Sequence, residues 1–320
     1  MLIDIVWVVL GLAGLFFGGN WLVKGASRLA SSVGVSSLVI GLTVVAFGTS
    51  APELMVSLNA ALQGYSDIII GNVLGSNVAN IGLILGLTGL IAPITVQWKL
   101  LRREIPLMIG VCVAALIVSL DGSVSQIDGI LLFAGFIAFN AYSYLAARRD
   151  RQQITPELEE FETYEHLIDP VNRWGELARL ALGVIVLILG ARFLVDGAVS
   201  IARDLGVSEL IIGITVVAIG TSLPELATSL VAALRKESDI AIGNVVGSNV
   251  ANILCILGLT AVAQPVGVEQ SLIQFEFPVM IVFAVLLVPF SLNRRLDRWQ
   301  AGLFLAGYIA FTVASVLLLR

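Results

Sequence analysis

Long runs of apolar residues, interrupted by short polar or turn-forming segments, cover almost the whole chain. A helix that crosses a bilayer needs about 20 mainly apolar residues, and several of these runs reach that length. Read together with the charges, glycines and prolines, the runs predict ten spans, five in each half of the chain. They lie at 3–23, 36–62, 68–91, 105–120 and 127–146, and at 176–197, 208–234, 240–262, 276–291 and 299–319.

One polar segment separates the two sets of spans. Residues 147–174 are rich in charged, mostly acidic side chains and contain Pro156 and Pro170, which interrupt helices. The segment is too short to fold alone, so we expect a linker with a solvated charge run; a regulatory Ca²⁺ site is the alternative. The pattern thus predicts a first five-helix unit (1–146), the linker (147–174) and a second five-helix unit (175–320).

The two halves repeat one sequence pattern. Residues 41–87 and 213–259 align without a gap at an offset of 172, and 34 of the 47 positions are identical. Because each half has an odd number of spans, the second copy must enter the membrane from the opposite side. The predicted fold class is therefore an all-α membrane protein with ten transmembrane helices, arranged as two inverted-topology five-helix repeats.

Composition and charge agree with lipid as the main solvent. Of the 320 residues, 58% are hydrophobic and 13% are charged, and the mean hydropathy is +0.98, whereas soluble domains have about 25% charged residues. Nothing in the chain indicates nucleic-acid binding. With the N-terminus outside, 15 of the 18 Lys and Arg residues fall on the cytoplasmic side, as the positive-inside rule requires. We expect a multi-pass protein of the cytoplasmic membrane with both termini outside and the linker inside.

A Gly-Thr-Ser-x-Pro-Glu motif interrupts the second span of each half. Proline has no backbone N–H, so Pro52 and Pro224 each free a carbonyl in the preceding turn. Such a break is tolerated in a membrane only where it lines a cavity or a buried site. Glu53 and Glu225 follow directly, and an ionisable side chain at membrane depth marks an ion or proton pathway. Carboxylates and free carbonyls are hard oxygen ligands, suited to Na⁺ or Ca²⁺.

A second motif, Gly-Asn-x-x-Gly-Ser-Asn-x-x-Asn, lies in the third span of each half. Ser76 and Asn80 are four residues apart and share a helical face, as do Ser248 and Asn252. We expect these pairs to face the glutamates, and equivalent residues of the two halves to meet across a pseudo-two-fold axis. The sequence leaves open whether the asparagine after each serine lines the site or only bridges helices.

The paired GTSxPE and GNxxGSNxxN segments resemble the α-repeats of the calcium/cation antiporter superfamily, in particular those of prokaryotic sodium/calcium exchangers, and the resemblance covers essentially the whole chain. It implies a central Ca²⁺ site, two flanking Na⁺ sites, and two asparagines that line the centre. The implied ligands of Ca²⁺ are the carboxylates of Glu53 and Glu225 and the backbone carbonyls of Thr49 and Thr221. The implied Na⁺ ligands are the Ala46 carbonyl, Ser50, Ser76 and Glu53 on one side, and the Ala218 carbonyl, Ser222, Ser248 and Glu225 on the other, with Asn80 and Asn252 at the centre.

Asn252 departs from some relatives, including the potassium-dependent branch, which carry Asp at this position. With Asn in both halves, the site has two formal negative charges, which weakens the case for K⁺ co-transport. Two carboxylates balance one Ca²⁺, and like charges repel strongly in a low dielectric, so Ca²⁺ should exclude a full set of Na⁺. The resemblance also implies alternating access around a fixed site, with spans 1 and 6 as the moving pair.

We therefore expect a secondary active antiporter that exchanges Na⁺ for Ca²⁺, lies in the lipid bilayer, needs no prosthetic group and functions as a monomer. The alternative is an H⁺/Ca²⁺ exchanger that uses the same glutamates as proton carriers, although proton-coupled relatives usually have GNxxE in place of GTSxPE. A channel is disfavoured, because facing broken helices with buried carboxylates favour occlusion. An enzyme, such as a membrane hydrolase, is also disfavoured, because the only histidine, His166, lies in the linker.

Overall fold

The structure is a computed structural model and describes residues 2–151, 172–206 and 220–318. Most of the predicted linker and the first part of the predicted seventh span lie outside the described residues. The described helices follow the apolar runs of the sequence. Their bounds are α1 Leu2–Val33, α2 Ser37–Thr49, α3 Ala51–Gln63, α4 Ser66–Ile91, α5 Ile105–Ser119, α6 Gln126–Arg151, α7 Arg173–Asp204, α8 Leu223–Leu234, α9 Ser238–Ala263, α10 Gln270–Phe290 and α11 Arg298–Leu318.

Most of these helices are long and apolar enough to cross a bilayer. Within the described residues, seven helices meet that condition, and α2 with α3 makes an eighth if the pair, bent by 46°, counts as one span. Helix α8 has 12 described residues, and α5 has 15 residues that continue a π-helical turn at Leu100–Glu104. Large apolar side chains such as Leu12, Phe16 and Ile130 lie exposed on the outer helices α1 and α6. The chain is thus a helical membrane protein.

Helices α1 and α7 pack backbone to backbone. A Cβ atom added at Gly11 would lie 2.5 Å from the backbone N of Leu194, and one added at Gly25 would lie 3.0 Å from that of Leu180. Gly18 lies between these two glycines, and all three are seven residues apart, so they share one helical face. Because the contact partners run backwards along α7, the two helices are antiparallel.

Both helices of this pair extend beyond their predicted spans. The predicted span 3–23 ends before the first basic residue, Lys24, but α1 continues to Val33. The extension is stabilised by an ion pair, since Arg28 Nη1 lies 3.3 Å from Glu176 Oε1 of α7, and Glu176 also pairs with Arg179. A charge with a partner does not end a helix, which the hydropathy pattern alone does not reveal.

Two short antiparallel strand pairs join the two halves of the chain. Strand β1 (Ile94–Thr95) pairs with β4 (Arg295–Leu296), and β2 (Ser123–Val124) pairs with β3 (Val266–Gly267). The all-α prediction misses these four strands, because two residues are too few to give a periodic pattern. The offset of 172 converts β1 into β3 and β2 into β4, so the two pairs are equivalent. Each of these strands pairs only across the halves.

Helices α4 and α9 lie at the centre of the apolar core, packed against α5 and α10. Each is widened by a π-helical turn, at Asn80–Leu85 in α4 and at Asn252–Leu257 in α9. Such turns are frequent at functional sites. Both begin at the asparagine that ends the second sequence motif, so the same local irregularity occurs at equivalent positions of the two halves.

Candidate cation site

Two serines mark the points where the broken helices start again. Ser50 (φ −80°, ψ 8°) precedes α3, and Ser222 (φ −85°, ψ 4°) precedes α8. In both helices the motif's proline occupies one of the first two positions, where a missing N–H removes no helical hydrogen bond. Glu53 and Glu225 therefore lie in the first turn, where the helix dipole favours a negative charge.

The two glutamates are hydrogen-bonded across the halves. Ser50 and Glu53 have the spacing of a capping box, yet the Ser50 hydroxyl does not cap its own helix. Instead, Ser50 Oγ donates to Glu225 Oε1 at 2.9 Å, and Ser222 Oγ donates to Glu53 Oε1 at 3.3 Å. Both carboxylates are buried, at 2% exposure for Glu53 and 1% for Glu225. The motifs meet inside the protein, and the offset of 172 converts one of these hydrogen bonds into the other, so the contacts across the halves are symmetric.

An asparagine from the same half also contacts each glutamate. Asn72 Nδ2 donates to the backbone carbonyl of Glu53 at 3.0 Å and to Ser57 Oγ at 2.9 Å. In the other half, Asn244 Nδ2 makes the equivalent bonds to Glu225 and Ser229, at 3.3 Å and 3.0 Å. Asn72 and Asn244 are not among the site residues predicted from the sequence. Their repetition 19 residues after each glutamate was the signal that could have found them.

Four asparagines of the second motif form a buried cluster. Asn80 Nδ2 donates to Asn249 Oδ1 at 2.9 Å, and Asn252 Nδ2 donates to Asn77 Oδ1 at 3.0 Å. All four are at most 1% exposed. The two hydrogen bonds are related by the offset of 172, and each crosses from one half to the other. Asn77 and Asn249 therefore bind the asparagines that the sequence places at the centre of the site.

Four oxygen atoms of this region are buried without a donor. Within the described residues, Glu53 Oε2, Glu225 Oε2, Asn80 Oδ1 and Asn252 Oδ1 have no hydrogen-bond partner. A buried acceptor without a partner is costly, and a buried carboxylate oxygen more so. Such a set becomes favourable around a cation, because Na⁺ and Ca²⁺ prefer carboxylate and carbonyl oxygens. No group of three or more His, Cys, Asp or Glu side chains suited to a metal occurs in the described part of the chain.

The Ala46 carbonyl is engaged within the protein. It accepts the backbone N–H of Ser50 at 3.0 Å. Thr49 Oγ1 lies 3.2 Å from this carbonyl oxygen and 3.0 Å from Asn244 Oδ1, and its single proton can be donated to either. A Na⁺ ion bound as the resemblance implies would compete with these donors for the Ala46 oxygen.

The remaining predicted ligands are distributed around the same helices. Ser76 and Ser248 are buried on α4 and α9, one turn before the motif's last asparagine, and Ser248 Oγ has no partner among the described residues. Thr221 lies directly before Ser222 in the break that precedes α8. Ala218 lies outside the described residues. The first half's set of predicted ligands is therefore the one that the structure describes in full.

These features define a class of protein. The chain has apolar helices long enough to cross a bilayer, two helices that start at breaks inside the protein, and buried acceptor oxygens on the motifs of both halves. Discontinuous helices that meet at buried polar groups are typical of secondary transporters for small ions.

Comparisons with known proteins identify the family. A family model described as "Sodium/calcium exchanger protein" matches residues 3–145 and 176–317. The chain belongs to this family, whose members are transporters. Inner membrane protein YrbG of Escherichia coli (strain K12) is 39% identical over 289 residues, which make up 89% of this chain and 88% of that protein. Sodium/calcium exchanger MaX1 of Methanosarcina acetivorans is 33% identical over 342 aligned positions, which cover 97% of this chain and 98% of that protein.

The fold matches a solved exchanger structure. The sodium-calcium exchanger NCX_Mj, soaked with zero Na⁺ and Ca²⁺, superposes with a TM-score of 0.83 at 35% identity, covering 98% of this chain and 99% of that chain. The same exchanger soaked with both ions also gives a TM-score of 0.83. The prediction of a prokaryotic member of the calcium/cation antiporter superfamily is thereby confirmed.

Proposed function

We propose that this protein is a secondary active antiporter that exchanges Na⁺ for Ca²⁺ across the cytoplasmic membrane by alternating access. The single observation that carries the proposal is the set of four buried acceptor oxygens without donors on Glu53, Glu225, Asn80 and Asn252. Two of them belong to carboxylates, so one Ca²⁺ balances the formal charge. Membership of the sodium/calcium exchanger family supports Na⁺ as the counter-ion.

Exchange follows from the limited charge of this site. Two carboxylates in a low dielectric accommodate one divalent ion or a small number of monovalent ions, but not both, because close like charges repel. The hydrogen bonds of Ser50 and Ser222 to the opposite glutamates tie the two halves together at the site. If only ion-loaded forms change access, this competition couples the flow of Na⁺ to that of Ca²⁺. The flanking Na⁺ positions then use the ligands that the resemblance implies, including Ala218.

The proposed topology has ten spans in two inverted five-helix repeats, with α5 as span 4 and α8 as the second part of span 7. The antiparallel packing of α1 and α7 supports it, because the offset of 172 makes these helices equivalent and inversion requires them to run in opposite directions. The distribution of Lys and Arg favours external termini and a cytoplasmic linker. One copy contains both glutamates, so a monomer in the lipid bilayer suffices.

Proton coupling is the second candidate, since the same carboxylates could carry protons. The hydroxyl groups of Ser50 and Ser222 favour Na⁺ as the coupling ion, because a hydroxyl group that donates to a carboxylate can also ligate Na⁺ through its oxygen. The family match points the same way.

The test is Ca²⁺ uptake by proteoliposomes loaded with Na⁺ and diluted into Na⁺-free medium. We expect the outward Na⁺ gradient to drive uptake in the wild type, and Glu53→Gln and Glu225→Gln each to reduce uptake to background. Either substitution preserves the shape of the side chain but removes one of the two charges that balance Ca²⁺. Glu269→Gln, at an exposed glutamate whose carboxylate accepts from Ser271, is the matched control and should retain uptake within about twofold.

A pH gradient imposed without Na⁺ separates the two coupling ions. Uptake that follows the pH gradient and ignores Na⁺ would contradict Na⁺ exchange. Full activity in either site variant would contradict the assignment of the glutamates, whichever ion drives transport.

A further inference from the structure

The hydrogen bond between Asn252 and Asn77 continues to a methionine sulfur. Asn252 Nδ2 donates to Asn77 Oδ1 at 3.0 Å, and Asn77 Nδ2 lies 3.4 Å from Met280 Sδ on α10. The same Nδ2 is 3.4 Å from the backbone carbonyl oxygen of Asn249. The resulting chain runs from α10 of the second half, through α4 of the first, to α9 of the second.

An equivalent chain runs the other way. Asn80 Nδ2 donates to Asn249 Oδ1 at 2.9 Å, and Asn249 Nδ2 lies 3.6 Å from Met108 Sδ on α5. Every member is displaced by 172 residues from its counterpart in the first chain. The arrangement therefore occurs twice in the molecule, independently, with the roles of the two halves exchanged.

The methionine fixes which groups donate and which accept along each series of hydrogen bonds. A thioether sulfur accepts hydrogen bonds but cannot donate them, and a backbone carbonyl likewise only accepts. The NH₂ group of Asn77 must therefore face Met280 and the Asn249 carbonyl, which leaves Asn77 Oδ1 to face Asn252. Asn252 can meet that oxygen only with its own NH₂, so its Oδ1 remains on the opposite side of the amide. That oxygen is the one that is buried without a donor.

We propose that Asn77 and Asn249 are positioning residues, which, if the proposed cation site is correct, fix the amides of Asn252 and Asn80 so that each offers its oxygen to the cation. The two ends of an amide have nearly the same shape but opposite electrical character. A flipped Asn252 would offer NH₂, which repels a cation. Since both ligand amides are neutral, their orientation decides whether they add to the attraction of the two carboxylates or oppose it.

The experiment measures Ca²⁺ binding by the rise in melting temperature of the purified full-length protein, so that it does not depend on transport. Asn77→Ala and Asn252→Ala should each weaken Ca²⁺ binding roughly 3- to 10-fold, the range expected for one hydrogen bond. If Asn77 acts through Asn252, the double variant should bind no more weakly than Asn252→Ala alone.

A matched control comes from residues that are not bonded to each other in this network. Asn77→Ala combined with Asn80→Ala should weaken binding by the product of the two single factors, because Asn249 holds Asn80. A purely structural role of Asn77 predicts multiplied factors in both double variants, and that result would overturn the proposal.

Substitution of the methionine tests the direction of the chain without touching an asparagine. Met280→Leu keeps a side chain of similar volume but removes the acceptor. We expect about two- to threefold weaker Ca²⁺ binding, with no further loss when Met280→Leu is added to Asn252→Ala. This pair also provides the test if Asn77→Ala does not fold; an equal loss in both backgrounds would overturn the proposal.

Na⁺-driven uptake by the wild type, measured in parallel, separates this proposal from the proposed function. Coupled effects on Ca²⁺ binding without Na⁺-driven uptake would contradict exchange and support the positioning role. Na⁺-driven uptake with uncoupled effects would do the reverse. A wild type that shows no Ca²⁺-dependent rise in melting temperature would overturn both.

Discussion

Two regions of the molecule are held together by different kinds of contact. In the α1/α7 pair, glycines bring the helix backbones together, and no side chain intervenes at Gly11, Gly18 and Gly25. In the site region, formed by α3, α4, α8 and α9, side-chain hydrogen bonds join the halves at Ser50, Ser222 and the asparagine cluster. Close backbone packing also occurs in the site region, since a Cβ added at Gly247 of α9 would clash with the carbonyl oxygen of Leu42 in α2. The site region differs from the pair because directional side-chain bonds join the halves there as well.

The contacts between these regions at the level of the breaks are apolar. A Cβ added at Gly48 would lie 2.9 Å from Val184 Cγ2 of α7, and one added at Gly220 would lie 2.6 Å from Val195 Cγ2 of the same helix. Polar contacts of α1 with the segment that follows α8 lie beyond the end of that helix, where Arg235 Nε donates to Asn20 Oδ1 at 2.8 Å and Ser27 Oγ donates to Glu237 Oε1 at 3.0 Å. Apolar contacts have no preferred direction, which is compatible with the proposed movement of the pair during transport.

The largest effect is expected within the α1/α7 pair, where the backbones are in close contact. In Gly183→Ala the added Cβ would lie 2.6 Å from the backbone N of Leu22 and 2.9 Å from the carbonyl oxygen of Gly18. The helices must separate, which we expect to cost about 2–3 kcal/mol of unfolding free energy. The measurement is the melting temperature of the purified protein, together with Na⁺-driven Ca²⁺ uptake.

Gly110→Ala is the matched control for this substitution. A Cβ at Gly110, in α5, has no heavy atom of the described chain within 4 Å, and replacing a helical glycine by alanine stabilises a helix by roughly 0.5–1 kcal/mol. The melting temperature should therefore stay the same or rise. Equal losses in both variants would show that the added Cβ atom at Gly183 has no cost specific to the contact between α1 and α7.

An intermediate effect is expected inside the site region. Asn244→Ala would leave the Glu225 carbonyl and Ser229 Oγ without the Nδ2 donor, and would remove the Asn244 Oδ1 contact of Thr49. We expect a loss of about 2 kcal/mol, because buried groups lose their partners. Asn59→Ala, at a surface asparagine bonded to Gln63, should change stability by no more than about 0.5 kcal/mol. If the two variants melt together, the buried bonds do not stabilise the site.

The smallest effect should occur at the polar contact between α1 and the segment that follows α8. Ser27→Ala removes the partly buried hydrogen bond to Glu237, which contributes about 0.5–1 kcal/mol. If the pair moves during transport, the maximal exchange rate should rise by up to about threefold with no change in the half-saturating Ca²⁺ concentration. Ser31→Ala, which removes a bond within α1 itself, should leave both constants unchanged. A changed Ca²⁺ affinity in Ser27→Ala would contradict the separation of the two regions.

Local patterns predicted much of the fold. Apolar runs and the repeat are readable because bilayer thickness and duplication constrain every span, and the described helices begin and end close to the predicted positions. The end of α1 was missed because the Arg28–Glu176 ion pair joins residues 148 positions apart. The same limit applies to the strand pairs, which depend on contacts between the halves.

The chemistry of the candidate site could be predicted by residue type, but its connections could not. The repeat shows that each half contributes a serine, a glutamate and an asparagine, yet it gives no information on which partner each one finds across the axis. Ser50 donates to Glu225, and Asn77 accepts from Asn252. These pairings are set by side-chain distances of about 3 Å, which lie below what hydropathy and spacing resolve.

The paired strands β1 to β4 have a consequence for how such a molecule could arise. Each half supplies two strands, a serine donor and a pair of asparagines. Each of these groups finds its hydrogen-bond partner in the other half. A gene that encoded a single half would therefore yield a chain with unpaired edges and a lone buried carboxylate. Two copies of that chain, facing in opposite directions, would satisfy every one of these groups. A single chain that carries both halves keeps the two partners of every such contact together and in equal number.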